Sequence, residues 1–144
     1  MMSAEEGADS VDAQHELLAR VAALLDEIGD VGDTDDESAV VQVGVTRASV
    51  RVIALAEDLR VVSVTQLLAL NLPNTEALRD DVEELDATLS FGNLRRSDPT
   101  GVTTDVLQYY TFPVGGLADI PLLTVLHIVL SAGDDIARKL VDAS

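Results

Sequence analysis

Asp33, Asp35 and Glu37 stand at alternate positions, the spacing with which a calcium-binding loop begins. Carboxylate oxygens at such offsets suit a hard divalent cation, but the loop also needs Gly at its sixth position and Glu at its twelfth. Here those positions are Ser38 and Gly44, so the run reads as solvated charge with no metal. Ser, His and Asp are all present, yet geometry rather than presence defines a catalytic triad. His15 falls on the polar shoulder of a first helical stretch, and His127 lies between Leu126 and Ile128, as a packed structural histidine does. Ser90 and Ser131 lack the setting of a nucleophile elbow. Asp80-Asp81, Glu83-Glu84 and Asp134-Asp135 are neighbours on helical stretches, so each pair diverges instead of sharing one reacting atom. Gly115-Gly116 precedes a helix whose N-terminus can hold an anion, but Asp119 repels one and no phosphate-loop spacing accompanies it. Arg95-Arg96 is an adjacent basic pair that either bridges to the acidic surface, the reading preferred, or meets a partner's carboxylate. No residue is assigned a catalytic, cofactor-binding or metal-binding role, and the chain is read as a non-enzyme.

What must position these residues is one domain. The 144 residues are 47% apolar, which suffices for a core, and the core must be aliphatic because the aromatics are only Phe91, Tyr109, Tyr110 and Phe112. Twenty-six acidic residues against nine basic give a net charge of −17. That excludes nucleic acid and anionic membranes as partners, since both are held by Lys and Arg. The acidity also fits a saline cytoplasm. Cysteine is absent, and with it disulfides and thiolate chemistry. Met1 to Ser10 is acidic, without the order of a signal peptide, and Leu122 to Leu130 is too short an apolar run to span a bilayer. A cytoplasmic protein is expected.

Residues 1–10 read as a disordered tail and 11–144 as the domain. Leu17, Val21, Leu24 and Ile28 recur at helical spacing, with Ser10 or Asp12 as cap and Gly29 as stop. Asp30 to Ser38 reads as a loop. Ala39–Thr46, Ser49–Ala56 and Arg60–Leu70 read as strands, and their short connections imply antiparallel pairing. Asn74 or Thr75 caps a second helix with Leu78, Val82 and Leu85 on its buried face. Thr88–Leu94 and Asp105–Val114 read as a hairpin across the Ser97–Gly101 turn. A last helix starts near Asp119 and runs to about Val141. It is apolar nearly all round from Leu122 to Leu130, so it must be covered on more than one side. The expected fold class is α+β, in the order α-β-β-β-α-β-β-α, with a five-stranded antiparallel sheet and helices packed on it.

That order, and three stretches within it, resemble the YbjN family of bacterial sensory transduction regulators, which is similar in fold to type III secretion chaperones. The stretches are Val82-Glu-Glu-Leu-Asp-Ala-Thr-Leu-Ser-Phe-Gly-Asn-Leu-Arg95, Tyr109-Tyr-Thr-Phe-Pro-Val-Gly-Gly-Leu117 and Ser131-Ala-Gly-Asp-Asp-Ile-Ala-Arg138. The resemblance implies an acidic homodimer that holds an extended partner segment, and no catalytic residue.

The function expected is a non-catalytic, chaperone-like regulatory module that binds an apolar segment of a protein or peptide partner. The alternatives are a small-ligand-sensing regulator and an enzyme with an acidic pocket. Ile53, Leu55, Val61 and Leu67 alternate out of phase with the inward strand residues. An apolar patch on the second sheet face is expected from them, and a dimer or partner surface is placed at Leu78, Val82, Ile53, Leu55 and Leu67.

Overall fold

The computed structural model describes the backbone of residues 2–56 and 59–143 and the side chains of residues 12–56 and 59–142. The elements are α1 (Met2–Leu25), β1 (Asp30–Thr34), β2 (Ser38–Val43), β3 (Thr46–Ala56), β4 (Leu59–Pro73), α2 (Glu76–Asp86), β5 (Asn93–Arg96), β6 (Thr103–Pro113) and α3 (Asp119–Ala143). The fold is α+β: three helices and one open sheet of six strands in the order β1-β2-β3-β4-β6-β5, every neighbouring pair antiparallel.

Two expectations meet a different structure. The sheet has six strands, because the expected acidic loop contains β1. Its composition disfavours a strand, but Val31 pairs with Val41 and joins the edge of the core, which carries the segment into the sheet. Helical backbone extends back to Met2, ahead of the caps expected at Ser10 and Asp12. Residues 2–10 of the expected tail fall on that backbone, while Met1 and the tail's side chains lie outside the described residues.

All three helices lie on one face. Leu17, Leu18, Val21, Leu24 and Leu25 of α1 and Leu122, Leu126, Val129 and Leu130 of α3 pack with Ala39, Val41, Val50, Val52, Val62, Val64 and Phe112 of the sheet. Complete burial of a leucine such as Leu126 contributes about 1.5–3 kcal/mol. The helix α1 thus supplies the second cover that α3 requires. By length and composition Asp119–Asp142 is apolar enough to cross a membrane. Its Leu122, Leu126, Val129 and Leu130 have no exposure at all.

A second cluster gathers Leu68, Ala69, Leu94 and Val106 of the sheet, Val82 of α2, and Ile136, Ala137 and Leu140 of α3. Between the two clusters lie two fully buried glutamines, paired across β4 and β6. Gln66 Nε2 donates to Thr46 Oγ1 (2.8 Å) and Leu130 O (3.0 Å), while Gln108 Nε2 donates to Gln66 Oε1 (2.8 Å) and Val129 O (3.0 Å). A buried amide without partners costs about 1–3 kcal/mol, so these bonds fix where α3 crosses the sheet. Gly133 completes the crossing, because a Cβ there would collide with the Gln66 carboxamide.

The other face of the sheet has no described helix on it, and Val61 alone is buried among the residues there. Its rows, read across the strands, are Ile53-Val61-Pro113, Arg51-Ser63-Thr111, Ser49-Thr65-Tyr109-Asn93 and Arg47-Leu67-Leu107-Arg95. The out-of-phase apolar residues therefore form no continuous patch: hydroxyls and Arg51 separate Ile53 and Val61 from Leu67.

Candidate functional site

The four aromatic residues, dispersed in the sequence over Phe91 to Phe112, converge at one end of the β5–β6 hairpin. Phe91 and Tyr110 lie with ring centroids 5.6 Å apart, and Tyr110 stacks on Phe112 at 5.4 Å. Tyr109 points to the opposite, uncovered face, where the Arg95 guanidinium lies 5.5 Å from its ring centroid. Such a cation–ring contact contributes about 0.5–1 kcal/mol at an exposed site. Gly92, Asn93, Arg95, Tyr109, Tyr110 and Thr111 line an open hollow of about 500 Å³.

The hollow exists because β5 is short. It pairs with β6 only from Tyr109↔Asn93 to Val106↔Arg96. At Gly92 the backbone turns to φ +86, which removes the preceding residues from the strand. A side chain at this position would be strained and would also press on Gln108 Oε1, 2.9 Å from the site of its Cβ. Past Tyr109, β6 continues to Pro113 with no strand on that side among the described residues.

Backbone alternation shows which groups are left. The Val114 N–H donates to Arg60 O, toward β4 (3.0 Å). Successive residues of a strand turn their N–H and C=O to opposite sides. Phe112 and Tyr110 therefore face β4 like Val114, and Thr111 faces outward like Tyr109. Thr111 thus offers an N–H and a C=O at an unpaired edge, flanked by Tyr110 and Phe91 on the helix side and by Tyr109 and Arg95 on the uncovered side.

The residues singled out from the sequence are dispersed. Val82 is buried in the second cluster together with Leu94, so it is not on a surface. Leu78 is half-buried and lines, with Leu72, Pro73, Ala77 and Leu140, a separate apolar hollow of about 230 Å³. Ile53 and Leu55 lie toward the far end of β3, with Leu55 62% exposed, and Leu67 is half-buried in the middle of β4. Asp35 closes the β1–β2 turn: its Oδ1 accepts from the N–H groups of Glu37 and Ser38, both at 2.8 Å, and those bonds hold its carboxyl below the ordinary range. Glu37 pairs with Arg51 at 3.2 Å. Among the described residues, no three His, Cys, Asp or Glu side chains are grouped to hold a metal ion. His15 and His127 are both exposed, so His127 is not the packed histidine that its neighbours implied. Asp134 accepts from Val45 N (2.9 Å) and pairs with Arg138 (3.1 Å); Asp119 pairs with Arg20. Arg96 donates to Asn74 Oδ1 (2.6 Å), and neither it nor Arg95 meets a carboxylate among the described residues, contrary to the salt bridges expected.

Sequence reasoning named every member of the aromatic group but did not assemble it. Its signal was the Tyr-Tyr-Thr-Phe run: alternation sends Tyr109 to one face and Tyr110 and Phe112 to the other. Gln66 and Gln108 carried a signal as well, a polar residue at an inward position between Val64 and Leu68 and between Val106 and Tyr110. No protein-family model matches the chain, and no curated protein shows significant similarity to it.

Proposed function

We propose that this protein is a non-catalytic binding module that takes up an extended segment of a protein partner by adding it as a strand to β6 at Thr111. The observation that carries this reading is the unpaired edge of β6 beside the aromatic group. An added strand gains main-chain hydrogen bonds from Thr111 and apolar contact from Tyr110 and Phe91. A chaperone-like regulatory role of the YbjN and secretion-chaperone type, in the cytoplasm and as a homodimer, belongs to the same reading. The exposed Leu55, Leu59, Leu70 and Val141 are compatible with self-association.

The test is capture from native lysate by the full chain and by Thr111→Pro. Proline removes the N–H that an incoming strand needs, at a place where the fold leaves that N–H unused. A partner retained by the wild type and lost from the variant supports the edge. A partner held equally by both overturns it.

A further inference from the structure

The slot at β6 has two chemically different walls, and the chemistry of its occupant follows from them. Residues of an added strand alternate between faces. The residue opposite Thr111 points to the uncovered face, where Arg95 lines the same hollow as Thr111. Its neighbour, opposite Tyr110, points to the helix side, where the Phe91 ring, 36% exposed, contacts Tyr110. In a chain of net charge −17, carboxylates for a cation are abundant. Among the described residues Arg20, Arg51, Arg79 and Arg138 each pair with one, while Arg95, like Arg47, Arg60, Arg96 and Lys139, does not, and of these Arg95 is the one set against an aromatic ring, that of Tyr109. A guanidinium aligned over an aromatic face beside a strand slot is preset for a carboxylate, which it can grip with two N–H donors.

We infer that the partner segment carries Asp or Glu opposite Thr111, with an apolar β-branched or aromatic residue next to it in sequence. This rests on the strand-addition reading and adds the identity of the side chains. It also runs against the long-range field of the molecule, which attracts basic segments and repels acidic ones. Enrichment of acidic residues in a selected segment therefore reports the local site and not net charge.

The experiment selects short random peptides displayed on phage against the full chain at physiological salt, then against Arg95→Glu and Thr111→Pro. The wild type is expected to select alternating peptides with an acidic residue beside an apolar one. Arg95→Glu should exchange the acid for Lys or Arg. A synthetic copy of a selected peptide should bind Arg95→Gln about two- to fivefold more weakly, the effect of one exposed ion pair. Peptides lost on Thr111→Pro but without acidic enrichment, or indifferent to Arg95, overturn the inference and leave the edge reading standing. Failure of the wild type to select any peptide that Thr111→Pro loses overturns both.

Discussion

The two edges of this sheet are finished in opposite ways. At one, β1 carries Asp30, Gly32 and Asp33, is exposed at every residue but the half-buried Val31, and breaks register between Val31 and Thr34. Acidic residues continue through Asp35, Asp36 and Glu37. Charge and a bulge are the usual means by which a protein prevents another strand from pairing with its edge. At the other edge, β5 covers part of β6 and α2 packs beside β5, but Tyr110 to Pro113 is left bare among aromatic rings. Both edges bear unpaired backbone groups. Among the described residues, only the second edge sets them beside aromatic rings and an arginine that pairs with no carboxylate, which is why the proposed strand is placed there.

The comparison breaks most readily at Thr111. Thr111→Pro is expected to weaken partner capture at least about tenfold, the loss of roughly 1.4 kcal/mol in main-chain bonding and fit. The melting temperature should stay within a few degrees. The equivalent change at β1, Asp33→Pro, should leave capture unaltered; equal losses at both edges would show that the two do not differ.

Next comes the shape of the slot. Gly92→Val places a β-branched residue at positive φ against Gln108, with an expected cost of about 1–3 kcal/mol in chemical denaturation. An unchanged midpoint would mean that the turn ending β5 relaxes freely. Phe91→Ala removes the ring tilted against Tyr110 and should cost about 0.5–1.5 kcal/mol, with weaker capture besides. Loss of stability without loss of capture would reduce the ring to a packing role.

The smallest effect is at the acidic edge. Asp35 has its carboxyl held below the ordinary range by the Glu37 and Ser38 N–H bonds, so its ionised form is favoured in the fold. Its contribution is present above the unfolded carboxyl value and is lost as pH falls through the lowered one. The difference in melting temperature between wild type and Asp35→Ala should therefore be small, largest above about pH 5, and shrink on acidification. A difference that grows at low pH would have the sign wrong. Across the whole chain, raising salt to about molar concentration should raise the melting temperature by screening repulsion among the carboxylates.

Apart from β1, the element order is legible because Val-rich alternation and the helical spacing of Leu17, Val21 and Leu24 each match one period. Thr75 was read as a possible cap of α2, and its hydroxyl does accept from Leu78 N, at 3.1 Å. The strand β1 was not legible, because its one core residue, Val31, sits among residues that favour turns. The strand that pairs with β6 was placed at Thr88–Leu94. It forms instead at Asn93–Arg96, since Thr88 and Leu89 close the end of α2 and the Asp86 carboxylate receives Leu94 N (2.7 Å). The separation of Leu67 from the paired Ile53 and Val61 is visible only in register: which residues stand between them depends on the pairing of β3 with β4, and the sequence does not state it.

The row of amides at Gln66 and Gln108 has a kinetic meaning. It lies between two separate apolar clusters, the smaller under α2 and β5 and the larger under α1. Proteins open in such units rather than uniformly. Amide exchange in β5 and α2 should accordingly be faster than in β2 and β3, as one cooperative block. Opening of that block would leave β6 paired with β4, with Phe112 in the larger cluster, and would lengthen its bare edge from Tyr110–Pro113 toward Val106. The proposed slot would then be the short form of a longer one.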